Sequence, residues 1–271
     1  VQEESKVRSE LIDLMQQQQE LGLIPQPEVV KEHSNIIIPG SERIVVPASP
    51  QIIIPNMEIN SKIIDVFDEK ISFQKRMEHI LKKKEKLEKK GQIYHEKVEE
   101  IIRCIIEGDW VYLWGPSGCG KSYLMNQIAD LLEIDLVKNG KIGEPYTVMG
   151  YYDPQGNFRA TQTYIALVYG KLLAFDEFDN GNADTQVAIN EIYSKFLDAL
   201  ENPDKQHYVT FAEDVPALIN PNFRMISAGN TSGEGENPLY SSRSKIDESV
   251  QERMTPKFIK YDNRVEKAIF G

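Results

Sequence analysis

Residues 115–122 read Gly-Pro-Ser-Gly-Cys-Gly-Lys-Ser, and the residues on either side leave little freedom in what this stretch can be. Before it, Val111-Tyr112-Leu113-Trp114 is a short apolar run, the pattern of a strand buried on both faces. After it, Leu124, Met125, Ile128, Ala129, Leu131 and Leu132 recur at helical spacing. Strand, glycine-rich loop and helix in that order are the context that gives the G-x-x-x-x-G-K-[ST] spacing a mechanism. The glycines let the backbone curl until successive N–H groups face one point, and the helix N-terminus adds a partial positive charge there. The expected ligand is a nucleotide phosphate chain. Lys121 would reach the β- and γ-phosphates, and Ser122 would offer its hydroxyl to Mg²⁺. Gly115, Pro116, Ser117, Gly118, Cys119 and Gly120 complete the expected contact. Cys119 has two readings, as a thiol whose pKa the electropositive loop lowers or as a small side chain that the loop tolerates.

A second strand pattern ends in acids. Lys171-Leu172-Leu173-Ala174-Phe175 runs into Asp176-Glu177-Phe178-Asp179. Side chains alternate across a strand, so two neighbouring carboxylates at its end can take two tasks. Asp176 is expected to hold the Mg²⁺ shell, and Glu177 to orient and polarise an attacking water. Asp179 reads as a helix cap or a solvated side chain. A third pattern, Phe223 to Gly229, ends at Asn230, whose amide could hold that water by hydrogen bonding if the strands are neighbours. No base-reading motif accompanies these residues, so ATP and GTP are both compatible with them.

These three strand ends, in this order, resemble the AAA+ ATPase core, with Walker A at 115–122, Walker B at 172–177 and sensor 1 at Asn230. A finer resemblance lies between them. Met149-Gly150-Tyr151-Tyr152-Asp153-Pro154-Gln155-Gly156-Asn157-Phe158, followed by a helix and Tyr169-Gly170, is similar to the MoxR-like, dynein-related group. That group includes the cobaltochelatase ATPase subunit and the McrB restriction motor. Its members carry a β-hairpin insert in the second core helix, and Asp-Pro-Gln-Gly-Asn suits the hairpin turn. Residues 230–240 and 246–254 resemble the group's segment ending in Arg-Phe, with Met254 standing where Phe is usual.

The resemblance covers about residues 95–270. It implies an α/β fold, a P-loop NTPase three-layer α/β/α core around a five-stranded parallel sheet. It also implies a homo-oligomeric ring, most often a hexamer, in which Arg253 acts in trans as an arginine finger. Arg243 is a second candidate. A strand is expected near Phe258–Tyr261, and the helical lid that usually follows is expected to be missing, so no sensor 2 is assigned.

Residues 1–60 are expected to form a helix over about 3–21 and a proline-punctuated extended arm. Ile36-Ile37-Ile38-Pro39, Ile44-Val45-Val46-Pro47 and Ile52-Ile53-Ile54-Pro55 repeat an aliphatic triplet plus proline every eight residues. β-branched triplets favour extended backbone, and proline confines them to sheet edges. The arm either lies across its own domain or docks on a neighbouring subunit. Residues 61–94 read as a helical, lysine-rich segment and 95–271 as the nucleotide-binding core.

Net charge is −11, with 31 basic and 42 acidic side chains, which argues against a dedicated duplex-DNA binder. The segment 62–107 is the only net basic one, with 12 basic against 10 acidic residues. Its six lysines between Lys82 and Lys90 offer a nucleic-acid patch or a solvated helix face. Two cysteines, Cys104 and Cys119, cannot build a disulfide framework, which suits a reducing cytoplasmic setting. No membrane span or signal peptide is visible. The expected function is a Mg²⁺-dependent, ring-forming ATPase that remodels a macromolecular client. The alternatives are a nucleic-acid-associated motor or helper in replication, restriction or packaging, and an ATP-gated structural assembly with little turnover.

Overall fold

The computed structural model describes residues 52–53, 72–140, 142–235 and 245–270. The expected helix over 3–21, the first two aliphatic triplets, residues 61–71 and Arg243 lie outside the described residues.

Five strands form one parallel sheet. They are β2 (Trp110–Trp114), β3 (Leu136–Asn139), β6 (Leu172–Phe175), β9 (Arg224–Gly229) and β10 (Met254–Phe258), ordered β10-β2-β9-β6-β3. The apolar runs occupy β2, β6 and the centre β9, where every residue of β6 and β9 is buried. Parallel strands covered on both faces need such continuous runs. The last strand begins at Met254, earlier than the expected position near Phe258–Tyr261. Its Pro256 lacks an N–H to donate, which is tolerated because β10 is an edge strand.

Alternation along β2 divides the core. Val111 and Leu113 face α2 (Val98–Glu107) and α3 (Lys121–Leu132), among Ile101, Ile105, Leu124 and Ile128. Trp110 and Tyr112 face the opposite side, among Tyr164 of α5 (Gln162–Tyr169) and Ile189, Tyr193 and Phe196 of α6 (Ala183–Glu201). The result is the expected α/β/α sandwich. Helix α1 (Phe73–Glu88) adds Met77 and Ile80 to the α2–α3 side. Side-chain caps mark helix starts, among them Thr161, whose Oγ1 accepts Tyr164 N–H, and Asn182, whose Oδ1 accepts Asp184 N–H. The short helices α4 (Tyr146–Met149) and α7 (Glu248–Gln251) and the final α8 (Asn263–Phe270) complete the helical set among the described residues.

Two small sheets flank this core. Strands β4 (Tyr151–Tyr152) and β5 (Phe158–Arg159) form the expected hairpin between α4 and α5. Its turn is tied by Asp153, whose Oδ1 accepts Gln155 and Asn157 N–H and whose Oδ2 lies 2.6 Å from Arg159 Nη2. The third aliphatic triplet contributes β1 (Ile52–Ile53), which pairs parallel to β5 as an edge strand of the same chain. A second hairpin, β7 (Tyr208–Phe211) and β8 (Val215–Leu218), was not expected from the sequence.

Candidate nucleotide site

Strand β2 passes directly into the glycine-rich loop, and the loop into the first turn of α3. Gly120 adopts φ of +89°, a left-handed conformation that ordinary side chains resist. At Gly115 an added Cβ would come 2.0 Å from the carbonyl oxygen of Ile259, so only glycine fits beside the segment after β10. Tyr261 holds the loop from that same segment, donating its hydroxyl to Ser117 O at 2.7 Å.

Lys121 is buried, and its ammonium donates to Gly115 O at 2.8 Å, Pro116 O at 2.9 Å and Asn230 Oδ1 at 3.0 Å. These are acceptors that a phosphate chain would exchange with. Ser122 Oγ donates to Asp176 Oδ2 at 2.7 Å, so the hydroxyl and the carboxylate expected to serve one cation are adjacent. Asp176 Oδ1 accepts Glu177 N–H at 3.0 Å. Glu177 has φ of +53° and ψ of +40°, a conformation uncommon for a residue with a Cβ and typical of strained functional turns. Ser117, Lys121, Ser122, Asp176, Glu177 and Asn230 line a single cleft of about 290 Å³.

The chemistry of this donor set fits Mg²⁺. Among the described residues no group of three or more His, Cys, Asp or Glu could hold a metal alone. One hydroxyl and one carboxylate are what a cation needs when phosphates and water supply its remaining ligands.

Arg253 is not in the cleft. It is exposed, and its Nη1 donates to Ser194 Oγ on α6. Cys119 is buried with Sγ 3.8 Å from Lys121 Nζ. Burial pushes its thiol above the ordinary cysteine range, with Lys121 opposing part of that shift. The reading of Cys119 as a lowered-pKa thiol is therefore corrected: desolvation outweighs the nearby ammonium.

Asp179 also departs from its reading as a cap or solvated group. It is fully buried and accepts the N–H groups of Asn230 and Thr231. Sequence reasoning missed it because a lone acid after an acid pair carries no mark of burial. Thr231 and Tyr112, which share its network, were likewise unmarked.

Three of the six lysines between Lys82 and Lys90 meet carboxylates. Lys82 meets Glu78 at 2.6 Å, Lys83 meets Glu133 at 3.1 Å, and Lys84 lies 3.0 Å from Glu88 and 2.9 Å from Glu99. These contacts favour the solvated-face reading over a phosphate patch.

The family model for the ATPase family associated with various cellular activities (AAA) matches residues 111–253, more than half of the chain. The protein belongs to the AAA ATPase family. The match begins in β2 and ends at Arg253, so it spans the three strand ends that form the cleft. Membership makes this AAA ATPase domain a nucleotide-binding, ATP-hydrolysing one in the general sense of its family. Comparison with curated proteins gives no match. Among the described residues of the AAA protein, no helix is long and apolar enough to cross a membrane.

Proposed function

We propose that this protein is a Mg²⁺-dependent ATPase of the MoxR-like type that works as a homo-oligomeric ring and remodels a macromolecular client. One observation carries the reading. Lys121, Ser122, Asp176, Glu177 and Asn230 share one cleft, whereas Arg253, on the same domain, projects outside it. A cation that must meet a γ-phosphate from outside suits action on a neighbour's site. The β4–β5 hairpin between α4 and α5 supports the MoxR-like subgroup and offers a face for a client or neighbour.

In this reading the loop N–H groups and Lys121 bind and orient the phosphate chain. Ser122 and Asp176 would hold Mg²⁺, which neutralises charge developing on the phosphoryl oxygens. Glu177 accepts a proton from, and aligns, the attacking water, and Asn230 fixes that water by its amide. Arg253 of an adjacent subunit stabilises the equatorial oxygens. The protein's contribution is positioning and electrostatic stabilisation rather than covalent chemistry.

The test is the Glu177→Gln variant. It should bind ATP with near-normal affinity and lose turnover by about a hundredfold or more, the usual share of a water-activating carboxylate. Light scattering with and without Mg-ATP should show the same variant passing from a smaller species to a closed oligomer. Appreciable turnover removes Glu177 from its role. A monomer under both conditions removes the ring.

A further inference from the structure

The steps above leave the buried carboxylate of Asp179 unused. Strand β9 ends at Gly229, so the sheet ladder no longer dictates where Asn230 points. Its backbone is held instead by Asp179. Oδ2 of that residue accepts Asn230 N–H, Thr231 N–H and the Thr231 hydroxyl, each at 2.9 Å. Three hydrogen bonds converging on one carboxylate oxygen fix the direction of all three donors. Asp179 has no exposed surface and Thr231 is 4% exposed, so water competes little for these donors.

The same carboxylate sits on the 3₁₀ turn Phe178–Asn180, which starts directly after Glu177. Strand β2 joins through Tyr112 at its centre, whose hydroxyl donates to Thr231 O at 2.8 Å. Gly229 permits this convergence: an added Cβ would lie 2.0 Å from Tyr112 Oη and 2.9 Å from Asp179 Cγ. The centre of β2, the turn after β6 and the residues after β9 therefore meet at one network.

We infer that Asp179 is a positioning residue that holds the Asn230 amide in register with the turn bearing Glu177. It does not line the cleft and acts through Asn230. This rests on the ATPase reading above for its consequence, though not for its geometry.

Two measurements decide it. The first needs no activity: amide hydrogen exchange in the nucleotide-free full-length protein. Asp179→Asn should speed exchange at Asn230 and Thr231 by about tenfold or more, as expected when a buried amide loses its carboxylate acceptor. Asn230→Ala should leave the Thr231 amide protected. Unchanged exchange in Asp179→Asn overturns the inference whether or not the protein hydrolyses ATP.

The second is a double-mutant cycle on turnover. Asp179→Asn should lower kcat by about ten- to a hundredfold with KM for ATP within about threefold. In the Asn230→Ala background the same substitution should change kcat by less than about threefold, because both act on one step. A purely structural Asp179 gives equal losses in both backgrounds, and that result overturns the proposal. Thr231→Val removes only the hydroxyl donor and serves where Asp179→Asn fails to fold: a smaller loss that also disappears with Asn230→Ala supports the inference, and equal losses refute it. Absence of turnover in the unmodified protein is a failure of the ATPase reading, and the exchange measurement then decides Asp179 alone.

Discussion

Lys121 Nζ and Asn230 Oδ1 lie 3.0 Å apart although 109 residues separate them in sequence. The contact closes the distance between the loop after β2 and the end of β9, which are neighbouring strands. It also places the ammonium where a phosphate oxygen would compete with an amide oxygen for the same proton.

Lys121→Ala is therefore expected to abolish useful nucleotide binding. The substitution removes the one charge in the loop together with its contacts to Gly115 O, Pro116 O and Asn230 Oδ1. Affinity for a fluorescent ATP analogue should fall by on the order of a hundredfold, the scale of a lost hydrogen-bonded charge. Normal affinity in this variant would sink the assignment of the loop.

Phe178 ties the acidic turn to the core. It is fully buried, with its ring centroid 5.3 Å from Trp110, 6.0 Å from Phe175 and 6.3 Å from Tyr112. Phe178→Ala should cost about 3–5 kcal/mol in urea unfolding, since a large aromatic leaves a cavity that edge-to-face neighbours cannot fill. A loss below about 1 kcal/mol would mean the turn repacks freely.

The residues that could be read in advance and those that could not differ in what makes them visible. Gly120 is legible because a left-handed turn accepts few other residues, and the acids at 176 and 177 because an adjacent carboxylate pair closing an apolar run is seldom a packing feature. The sandwich follows, because continuous apolar runs at β2, β6 and β9 need helices on both faces. The β7–β8 hairpin was illegible for the opposite reason. Its turn residues Ala212 and Glu213 both have positive φ, where Asn or Gly is the usual mark. The early start of β10 was hidden by Pro256, acceptable only at an edge that the sequence does not reveal. Asp179 was hidden because its burial depends on Asn230, Thr231 and Tyr112 arriving from distant segments.

Cys119 gives a pH-dependent prediction with a defined sign. Desolvation raises its thiol pKa, so the reactive thiolate is scarcer at neutral pH than for a free cysteine. Peptide-resolved alkylation by iodoacetamide at about pH 7 should run slower than for the unfolded chain. The rate should climb as pH rises towards the elevated pKa, and bound nucleotide should slow it further by covering the loop. Rapid alkylation at neutral pH would show that the ammonium of Lys121 outweighs burial after all.

Arg253 gives the most discriminating prediction because its position separates two readings of one side chain. It lies outside the cleft that holds Glu177, against Ser194 on α6. If it serves a neighbour's γ-phosphate, Arg253→Ala should bind ATP normally yet hydrolyse it slowly, by about a thousandfold at the scale of arginine fingers. Mixing settles the direction of action. Subunits carrying Arg253→Ala keep an intact loop, and subunits carrying Lys121→Ala keep an intact arginine. Interfaces that pair the two should recover part of the turnover that neither variant shows alone. Recovery should scale with the fraction of such interfaces as the mixing ratio is varied, which a residual activity of either parent cannot imitate. If mixed assemblies stay as inactive as their components while native mass spectrometry confirms mixing, Arg253 is a surface cation at the end of α7 and the trans role is lost.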